Sequence, residues 1–469
     1  MRRVLTAVLL LAALTTACRR APQTGYSRLS GVQVAWRAKP GTVNINTDYE
    51  ATVDVADFDV DTKRLHADAQ RRMPPQASRE QALSTVYSTL LADPGNYLVN
   101  NGKTRSVKTK AKSLGSGLVI TPDGYVVTNA HVVEPDEEEI KGALVASVKS
   151  LVDADTTELE TGLASVLPGT TLSDEDKARF RKVLVERHTK TARVADLKSE
   201  VFAVVGYTGS GDNVEIFRKA CKLEKVGKPT PGKDVAICKM DGDDFPTLPL
   251  ASGLDAGGVQ TGADLFIMGF PGELAFESSF SQASRLDPTY TVGHVSGIKE
   301  VSEEKWKAIQ TDASISPGNS GGPAFTDTGR VVGLATFTVD GERTQNLNFV
   351  VSVDVVQEFL RDLHVVPAQS SFTSRYLQAL DAYERQDKPR ALSLLRALNV
   401  EHPESAVVRD LMHRLNSDQP LSDPRTVSSR TESRPIPERK SGGSPKIVFI
   451  LIVGLLVIII AVVILANRG

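Results

Sequence analysis

Residues Gln310–Phe325, QTDASISPGNSGGPAF, surround Ser320 with small residues, among them Gly318, Gly321 and Gly322. A serine hydroxyl is a poor nucleophile at neutral pH and needs a base within hydrogen-bond reach. Because glycine has no Cβ, a glycine-rich turn lets backbone N–H groups converge on one point and stabilise an oxyanion there. The alternative is that the stretch is only a flexible loop, since runs of glycine and serine are common.

The base for such a serine must be sought among seven histidines. His131 directly follows the strand-like run in VVTNAHVV, at a strand end where a rigid scaffold meets an open site. The other six lie in or beside helical patterns, a charged stretch or strand-like runs. His131 is therefore the best candidate base, although a lone histidine at a strand end is more often structural.

Taken together, TNAHVV and GNSGGP resemble the trypsin-like proteases of the HtrA/Deg family. GSGLVITPDGYVVTNAHVV is similar to that family's first catalytic segment, and KDVAICKM to the segment that carries its aspartate. LFIMGFPG and NLNFVVSVDVV resemble its connecting and final strands, so the resemblance covers about 115–130 and 200–360. It implies that His131 is a general base, that Asp234 orients it and that Ser320 attacks a peptide carbonyl.

The same resemblance implies a mainly β fold, with two six-stranded antiparallel β-barrels and the site in the cleft between them. The backbone N–H groups of Gly318 and Ser320 would form the oxyanion hole, without any metal or cofactor. Ser314 would line the base of the main specificity pocket. Because Ser314 carries no charge, we expect preference for a small or medium apolar side chain rather than Lys or Arg. Asp312 is a rival carboxylate, and Asp123 fits a turn.

Short strand-like runs separated by turn residues predict a β-rich unit from 96 to 365. Inside it, about 137–191 has a helical pattern, either as surface decoration or as a lid or docking element. Residues 19–95 form an N-terminal region of unknown role. Residues 372–416 predict a hairpin of two helices that resembles one tetratricopeptide repeat and stands where HtrA enzymes typically carry a PDZ-like domain. One such unit buries itself poorly, so we expect it to pack on the β unit, another subunit or a partner, or to act as a spacer.

Both ends of the chain predict targeting to a membrane. Residues 1–18 have the basic start and apolar run of a signal peptide, and Cys18 resembles a lipoprotein cleavage site, with ordinary export as the alternative. Residues 447–466 are apolar and uncharged, and about 1.5 Å per residue makes them long enough to span a bilayer. Residues 417–446 form a flexible linker. More basic residues precede than follow the span, which conflicts with export, and we side with the export signal.

Composition narrows the class of partner. The chain has 469 residues, with 55 Lys plus Arg against 57 Asp plus Glu, and a net charge of −2 gives no reason to expect nucleic acid. Cys221 and Cys238 form either a disulfide or two buried thiols. We expect an exported serine endopeptidase at the bacterial periplasm or envelope, acting on protein or peptide substrates, with an oligomer allowed. The alternative is an inactive protease-fold scaffold that binds partners through its helical hairpin.

Overall fold

The computed structural model describes residues 28–134, 142, 144, 149–166, 171–341 and 344–421. Six antiparallel strands close a first barrel in the order β1–β2–β3–β6–β5–β4. From Ile45 onward the buried side chains of β1 alternate, as in Ile45, Thr47 and Tyr49, because successive side chains of a strand point to opposite faces. The strands are β1 (Thr42–Val60), β2 (Leu98–Val119), β3 (Tyr125–Thr128), β4 (Arg193–Ser210), β5 (Asn213–Val226) and β6 (Ala236–Met240).

The second barrel contains six further strands, paired in the order β7–β8–β9–β12–β11–β10. Its apolar interior continues into the inner face of a helix, α9 (Val353–Asp362), where Phe359 and Leu360 are buried. The predicted mainly β architecture agrees with the strand order of both barrels. These strands are β7 (Asp264–Gly269), β8 (Thr289–Val301), β9 (Trp306–Thr311), β10 (Pro323–Phe325), β11 (Val331–Gly341) and β12 (Thr344–Ser352).

Strands β1, β2 and β4 are longer than the barrel needs, and the excess carries a lobe of four helices. Val152, Phe180 and Leu184 of this lobe pack around Leu98 at the start of β2. The helices are α2 (Thr62–Gln70), α3 (Arg79–Ala92), α5 (Lys149–Val166) and α6 (Asp174–Thr191), while α4 (Ala130–Val133) is a single turn after β3. Helices α5 and α6 lie within the range 137–191 for which the sequence predicts a helical insertion.

The predicted domain start at residue 96 is wrong, because the first barrel begins at Thr42. Strand β1 pairs with β2 along nearly its whole length, for example Tyr49 with Ala111 and Val53 with Val107. Two helices separate β1 from β2 in the sequence. The alternating pattern of β1 is therefore not followed directly by a second strand, and no hairpin signal predicts its pairing with β2. The N-terminal region of unknown role therefore supplies a barrel strand and part of the helical lobe.

Three helices, rather than the predicted two, follow the second barrel. They are α10 (Ser371–Glu384), α11 (Lys388–Glu401) and α12 (Ala406–Asn416), and α11 ends just before His402 because Pro403 disfavours helical geometry in the residue before it. Their apolar faces enclose Trp36 of α1 (Gly31–Ala38). Two short helices, α7 (Gly272–Phe276) and α8 (Gln282–Arg285), lie between β7 and β8.

Within the described ranges, no helix combines the length and apolar character needed to cross a bilayer. The predicted signal peptide at 1–18, the span at 447–466 and the linker beyond residue 421 lie outside those ranges. The two cysteines of the first barrel are free and buried, so the thiol alternative holds and the disulfide does not. Burial raises the pKa of the Cys221 thiol to about 12.

Candidate active site

His131 is held by the turn that follows β3. Asn129, which is fully buried, donates its side-chain N–H to the Asp234 carbonyl oxygen at 2.6 Å. Thr128 donates its hydroxyl to the Ser116 carbonyl oxygen at 2.7 Å. These two bonds fix the backbone just before Ala130, and the His131 ring projects from the first barrel with 33% of its side chain exposed.

Asp234 lies just before β6, with only 1% of its side chain exposed. Its Oδ1 accepts the His131 backbone N–H at 3.0 Å, and its Oδ2 contacts His131 Nδ1 at 2.7 Å. Because a carboxylate can only accept, Nδ1 carries the proton and Nε2 is left as an acceptor. The Thr336 hydroxyl donates to the same Oδ2 at 2.6 Å. Burial opposes ionisation, but the hydrogen bonds and charge of His131, with the Thr336 hydroxyl, outweigh it and lower the pKa of Asp234.

Ser320 approaches this pair from the second barrel. Its turn follows β9 and reverses at Gly318 and Gly321, with φ values of 92° and 82°, a backbone region that favours glycine. A Cβ on Gly321 would lie 2.2 Å from the Ser116 carbonyl oxygen, so the turn packs directly against the first barrel. The Ser320 hydroxyl donates to the Thr336 carbonyl oxygen at 3.1 Å. Thr336 therefore joins the serine of one barrel to the aspartate of the other.

Hydrogen bonds from other segments of the same chain hold the two peptide groups on either side of Gly318. Gly272 donates its N–H to the Pro317 carbonyl oxygen at 2.8 Å, and Ser116 donates its hydroxyl to the Gly318 carbonyl oxygen at 2.7 Å. Over the described part of the chain, neither the Gly318 nor the Ser320 N–H donates to another protein group. The turn thus leaves these two donors available for a negatively charged oxygen beside the Ser320 hydroxyl.

Residues 115–334 match the family model described as a trypsin-like peptidase domain. This segment of the chain is similar to trypsin-like peptidase domains. The matched segment contains His131, Asp234 and Ser320 and ends within β11, two residues before Thr336. It confirms the resemblance that the TNAHVV and GNSGGP motifs predicted.

Relatives of this peptidase domain include named DegP-like and HtrA-like proteases. A probable periplasmic serine endoprotease DegP-like from Halomonas elongata is 26% identical over 304 residues, which cover 64% of this chain and 44% of the relative. A serine protease HtrA-like from Staphylococcus aureus is 25% identical over 220 residues, which cover 40% of this chain and 27% of the relative. The chain thus spans less than half the length of either protein.

One solved structure that the peptidase chain matches is the HtrA-type protease AlgW with decapeptide. The match has 17% sequence identity and a TM-score of 0.35, and it covers 71% of this chain and 67% of the other.

The remaining predicted site residues lie around the rim of the peptidase domain. Ser314 is exposed, and its carbonyl oxygen accepts the Thr291 hydroxyl at 3.0 Å. Asp312 contacts His294 Nδ1 at 3.4 Å, so this rival carboxylate pairs with a different histidine from His131. The backbone N–H of His294, which donates to the Asp312 carboxylate, lowers the pKa of that group. Asp123 lies in its turn, 3.5 Å from Lys239.

Two residues of the site were not predicted from the sequence. Thr336 acts through its hydroxyl and its carbonyl oxygen, and Ser116 acts through these two groups and its backbone N–H. No motif marks a buried Thr or Ser in a strand as different from a packing residue. Only the contacts themselves identify them. In the described ranges, no group of three or more His, Cys, Asp or Glu side chains is arranged to hold a metal ion.

Proposed function

We propose that the protein is a serine endopeptidase that cleaves exposed or unfolded protein segments through an acyl-enzyme intermediate. Ser320 is the nucleophile, His131 the general base and Asp234 the carboxylate that orients it. The observation that supports this most directly is the buried Asp234 carboxylate, whose Oδ2 is hydrogen-bonded to both His131 Nδ1 and the Thr336 hydroxyl. Since Thr336 also accepts the Ser320 hydroxyl, the three groups belong to one hydrogen-bonded set.

The proposed reaction begins when the Ser320 hydroxyl turns from the Thr336 carbonyl oxygen toward His131 Nε2. The serine oxygen attacks the peptide carbonyl carbon, its proton passes to Nε2, and the carbonyl π electrons move to the oxygen. The N–H groups of Gly318 and Ser320 stabilise that oxyanion. Collapse of the adduct breaks the C–N bond, and His131 returns the proton to the leaving amine. Water then repeats the sequence and releases the acid.

The imidazolium formed in each step is stabilised by Asp234. The pKa of this carboxyl is held below its ordinary value, so it is ionised at neutral pH and does not take the proton from His131. Because Asp234 is buried, its charge acts on the ring with little screening by water. Donors and acceptor are positioned before substrate binds, which keeps the reorganisation during catalysis small.

We further propose that the enzyme works outside the cytoplasm at the bacterial envelope, anchored by residues 447–466 after export directed by residues 1–18. The patterns at the two chain ends support this, as do relatives named periplasmic. A small or medium apolar residue before the cleaved bond is proposed because Ser314 is uncharged. Protease accessibility in spheroplasts tests the location, and cleavage of a peptide library tests the preference.

Fluorophosphonate labelling of the full-length chain in membranes tests the activity. We expect labelling at Ser320, its loss in Ser320→Ala, and a rate reduced by roughly 10³-fold or more in His131→Gln. His294→Gln is the matched control, since His294 also pairs with an aspartate but at a different place, and it should label like the unmodified protein. Labelling that persists in Ser320→Ala contradicts the proposed mechanism.

A second candidate function is a latent protease-fold scaffold that binds protein partners through the C-terminal helices. One observation favours it: the Ser320 hydroxyl donates to the Thr336 carbonyl oxygen rather than facing His131 as a donor. The labelling experiment separates the two candidates, because a scaffold stays unlabelled on addition of unfolded protein, whereas the enzyme is labelled at Ser320.

A further inference from the structure

Ser116 lies on β2 of the first barrel, yet three of its hydrogen bonds reach the second barrel. Its N–H donates to the Ser320 carbonyl oxygen at 2.8 Å, and its hydroxyl donates to the Gly318 carbonyl oxygen at 2.7 Å. The same hydroxyl oxygen accepts the Phe270 N–H at 2.9 Å. Resting on the proposed function, we propose that Ser116 is a positioning residue that sets the direction of the Gly318 oxyanion donor.

The Gly318 N–H lies in the Pro317–Gly318 peptide plane. The next plane, Gly318–Asn319, is linked to it through φ and ψ of Gly318. In a trans peptide the C=O and N–H point in opposite directions, so the Gly272 N–H that binds the Pro317 carbonyl oxygen turns the Gly318 N–H to the other side. The Ser116 hydroxyl fixes the second plane by holding the Gly318 carbonyl oxygen. Glycine at φ 92° has little intrinsic preference for this conformation, so external bonds must hold it.

Ser116 also connects the oxyanion turn to the histidine turn. Its carbonyl oxygen accepts the hydroxyl of Thr128, which lies three residues before His131. One fully buried residue thus holds Ser320 through its N–H, Gly318 through its hydroxyl and Thr128 through its carbonyl oxygen. Ser116 thus fixes the positions of the Gly318 N–H, Ser320 and His131 relative to one another, although it touches none of the reacting atoms itself.

The substitution Ser116→Ala isolates the part played by the hydroxyl. It keeps both backbone bonds, to Ser320 and from Thr128, and removes the bonds to Gly318 and Phe270. The Gly318–Asn319 peptide plane is then held less firmly. Because φ and ψ of Gly318 link it to the preceding Pro317–Gly318 plane, the Gly318 N–H points less accurately at the position of the oxyanion. Binding of a substrate before attack does not use that donor, so the loss should appear in the chemical step.

Fluorophosphonate labelling of the full-length chain measures this, because rate and final extent report different properties. We expect Ser116→Ala to lower the limiting labelling rate by about 10- to 100-fold while the probe's half-saturating concentration and the final extent are unchanged. A residue needed only for folding would instead lower the final extent and leave the rate of each active molecule unchanged. Such a result overturns the proposal.

Two further variants complete the test. Ser352→Ala is the matched control, since this serine is also fully buried but its hydroxyl has no hydrogen-bond partner among the residues that the structure describes, and it should label at the unmodified rate. Ser116→Cys keeps a weak donor in similar space and should give an intermediate rate. If neither Ser116 variant yields folded protein, Ser116 is structural and the proposal fails. If the unmodified chain is not labelled at Ser320, the proposed function fails instead.

Discussion

Replacing Thr336 by valine would test how the buried carboxylate is held. The Thr336 hydroxyl donates to Asp234 Oδ2 at 2.6 Å, and valine exchanges that hydroxyl for a methyl group of similar shape, so no cavity is created. The Thr336 carbonyl oxygen, which accepts the Ser320 hydroxyl, is left in place. The variant therefore removes one of three donors to Asp234 and little else.

The expected loss follows from the charge of the acceptor. A hydrogen bond to an ionised group contributes about 1.5–3 kcal/mol, so Thr336→Val should lower the free energy of unfolding by about that much at pH 7. For a folded unit of several hundred residues, an unfolding entropy of about 2 cal/mol/K per residue makes such a loss a fall in melting temperature of roughly 2–4 °C. Labelling of Ser320 should slow as well, because the carboxylate that orients His131 is held by fewer bonds.

The pH dependence of this loss has a definite sign. Asp234 has a lowered pKa in the folded protein, so its ionised form contributes stability that is present above the ordinary value of 3.8 and is lost as the pH falls through the folded-state value. Losing the Thr336 hydroxyl raises that folded-state pKa. The stability difference between variant and unmodified protein should thus be complete at pH 7 and narrow as the pH falls through the two folded-state values.

Urea unfolding of the full-length chain at a series of pH values from 8 to 3 measures this difference. Thr42→Val is the matched control, because the buried Thr42 hydroxyl donates to the neutral Ala38 carbonyl oxygen at 3.0 Å. Thr42→Val should lower the free energy of unfolding by only about 0.5–1.5 kcal/mol, and this loss should not depend on pH. Equal losses of unfolding free energy in the two variants at pH 7 would show that the bond to the ionised carboxylate does not act as argued.

Three further outcomes are expected. Gly318→Ala should abolish labelling of Ser320, because its Cβ would lie 2.3 Å from the Gly272 backbone nitrogen, whereas Gly211→Ala, also at positive φ but with open space, should label normally. Glu404 and Asp244 raise the pKa of His402, so the stability that the charged His402 ring contributes is complete below pH 6.5 and is lost as the pH rises through the raised value. His402→Gln should remove that pH dependence of the melting temperature. Iodoacetamide should modify Cys221 only after unfolding, as mass spectrometry of its peptide would show, since burial keeps it protonated.

The residues that act through sequence motifs were predictable, and those that act through single contacts were not. Neither the turn of His131 nor the turn of Ser320 was decisive alone, but TNAHVV and GNSGGP together resembled one family. The resemblance of KDVAICKM to that family's aspartate segment then implied Asp234. Thr336 is an ordinary strand residue by every local measure. Its importance arises because β11 brings it between two barrels, a long-range relation that no short window contains.

The fold shows the same division between local and distant information. Turn residues such as Pro122-Asp123-Gly124 marked the short hairpin between β2 and β3 correctly. Strand β1 was missed as a barrel strand because its partners, β2 and β4, are separated from it by helices that belong to a different lobe. The third C-terminal helix was locally readable, since Pro403 interrupts the helical pattern, but the resemblance to a two-helix repeat obscured it.

The C-terminal helices are part of the body of the peptidase rather than a separate arm. The Glu404 carbonyl oxygen accepts the Tyr207 N–H of β4 at 2.9 Å, and a Cβ on Gly206 would lie only 2.3 Å from that oxygen. At the other end, the Phe372 N–H donates to the Asp244 carboxylate at 2.9 Å. The apolar faces of these helices pack on one another and on Trp36 of α1, while hydrogen bonds fix the helices to the first barrel.

This packing restricts how the helices can serve the proposed enzyme. A tetratricopeptide-like partner site would need an open apolar groove, but Tyr376 and Leu395 are buried and Tyr376 donates its hydroxyl to the Trp36 carbonyl oxygen at 3.1 Å. Any partner must instead use the outer surface, where Val400 is 80% exposed. The contacts of these helices with β4 reach the same barrel that carries His131, so the helices stabilise that barrel. Loss of α12 should therefore destabilise the barrel before it affects recognition of any partner.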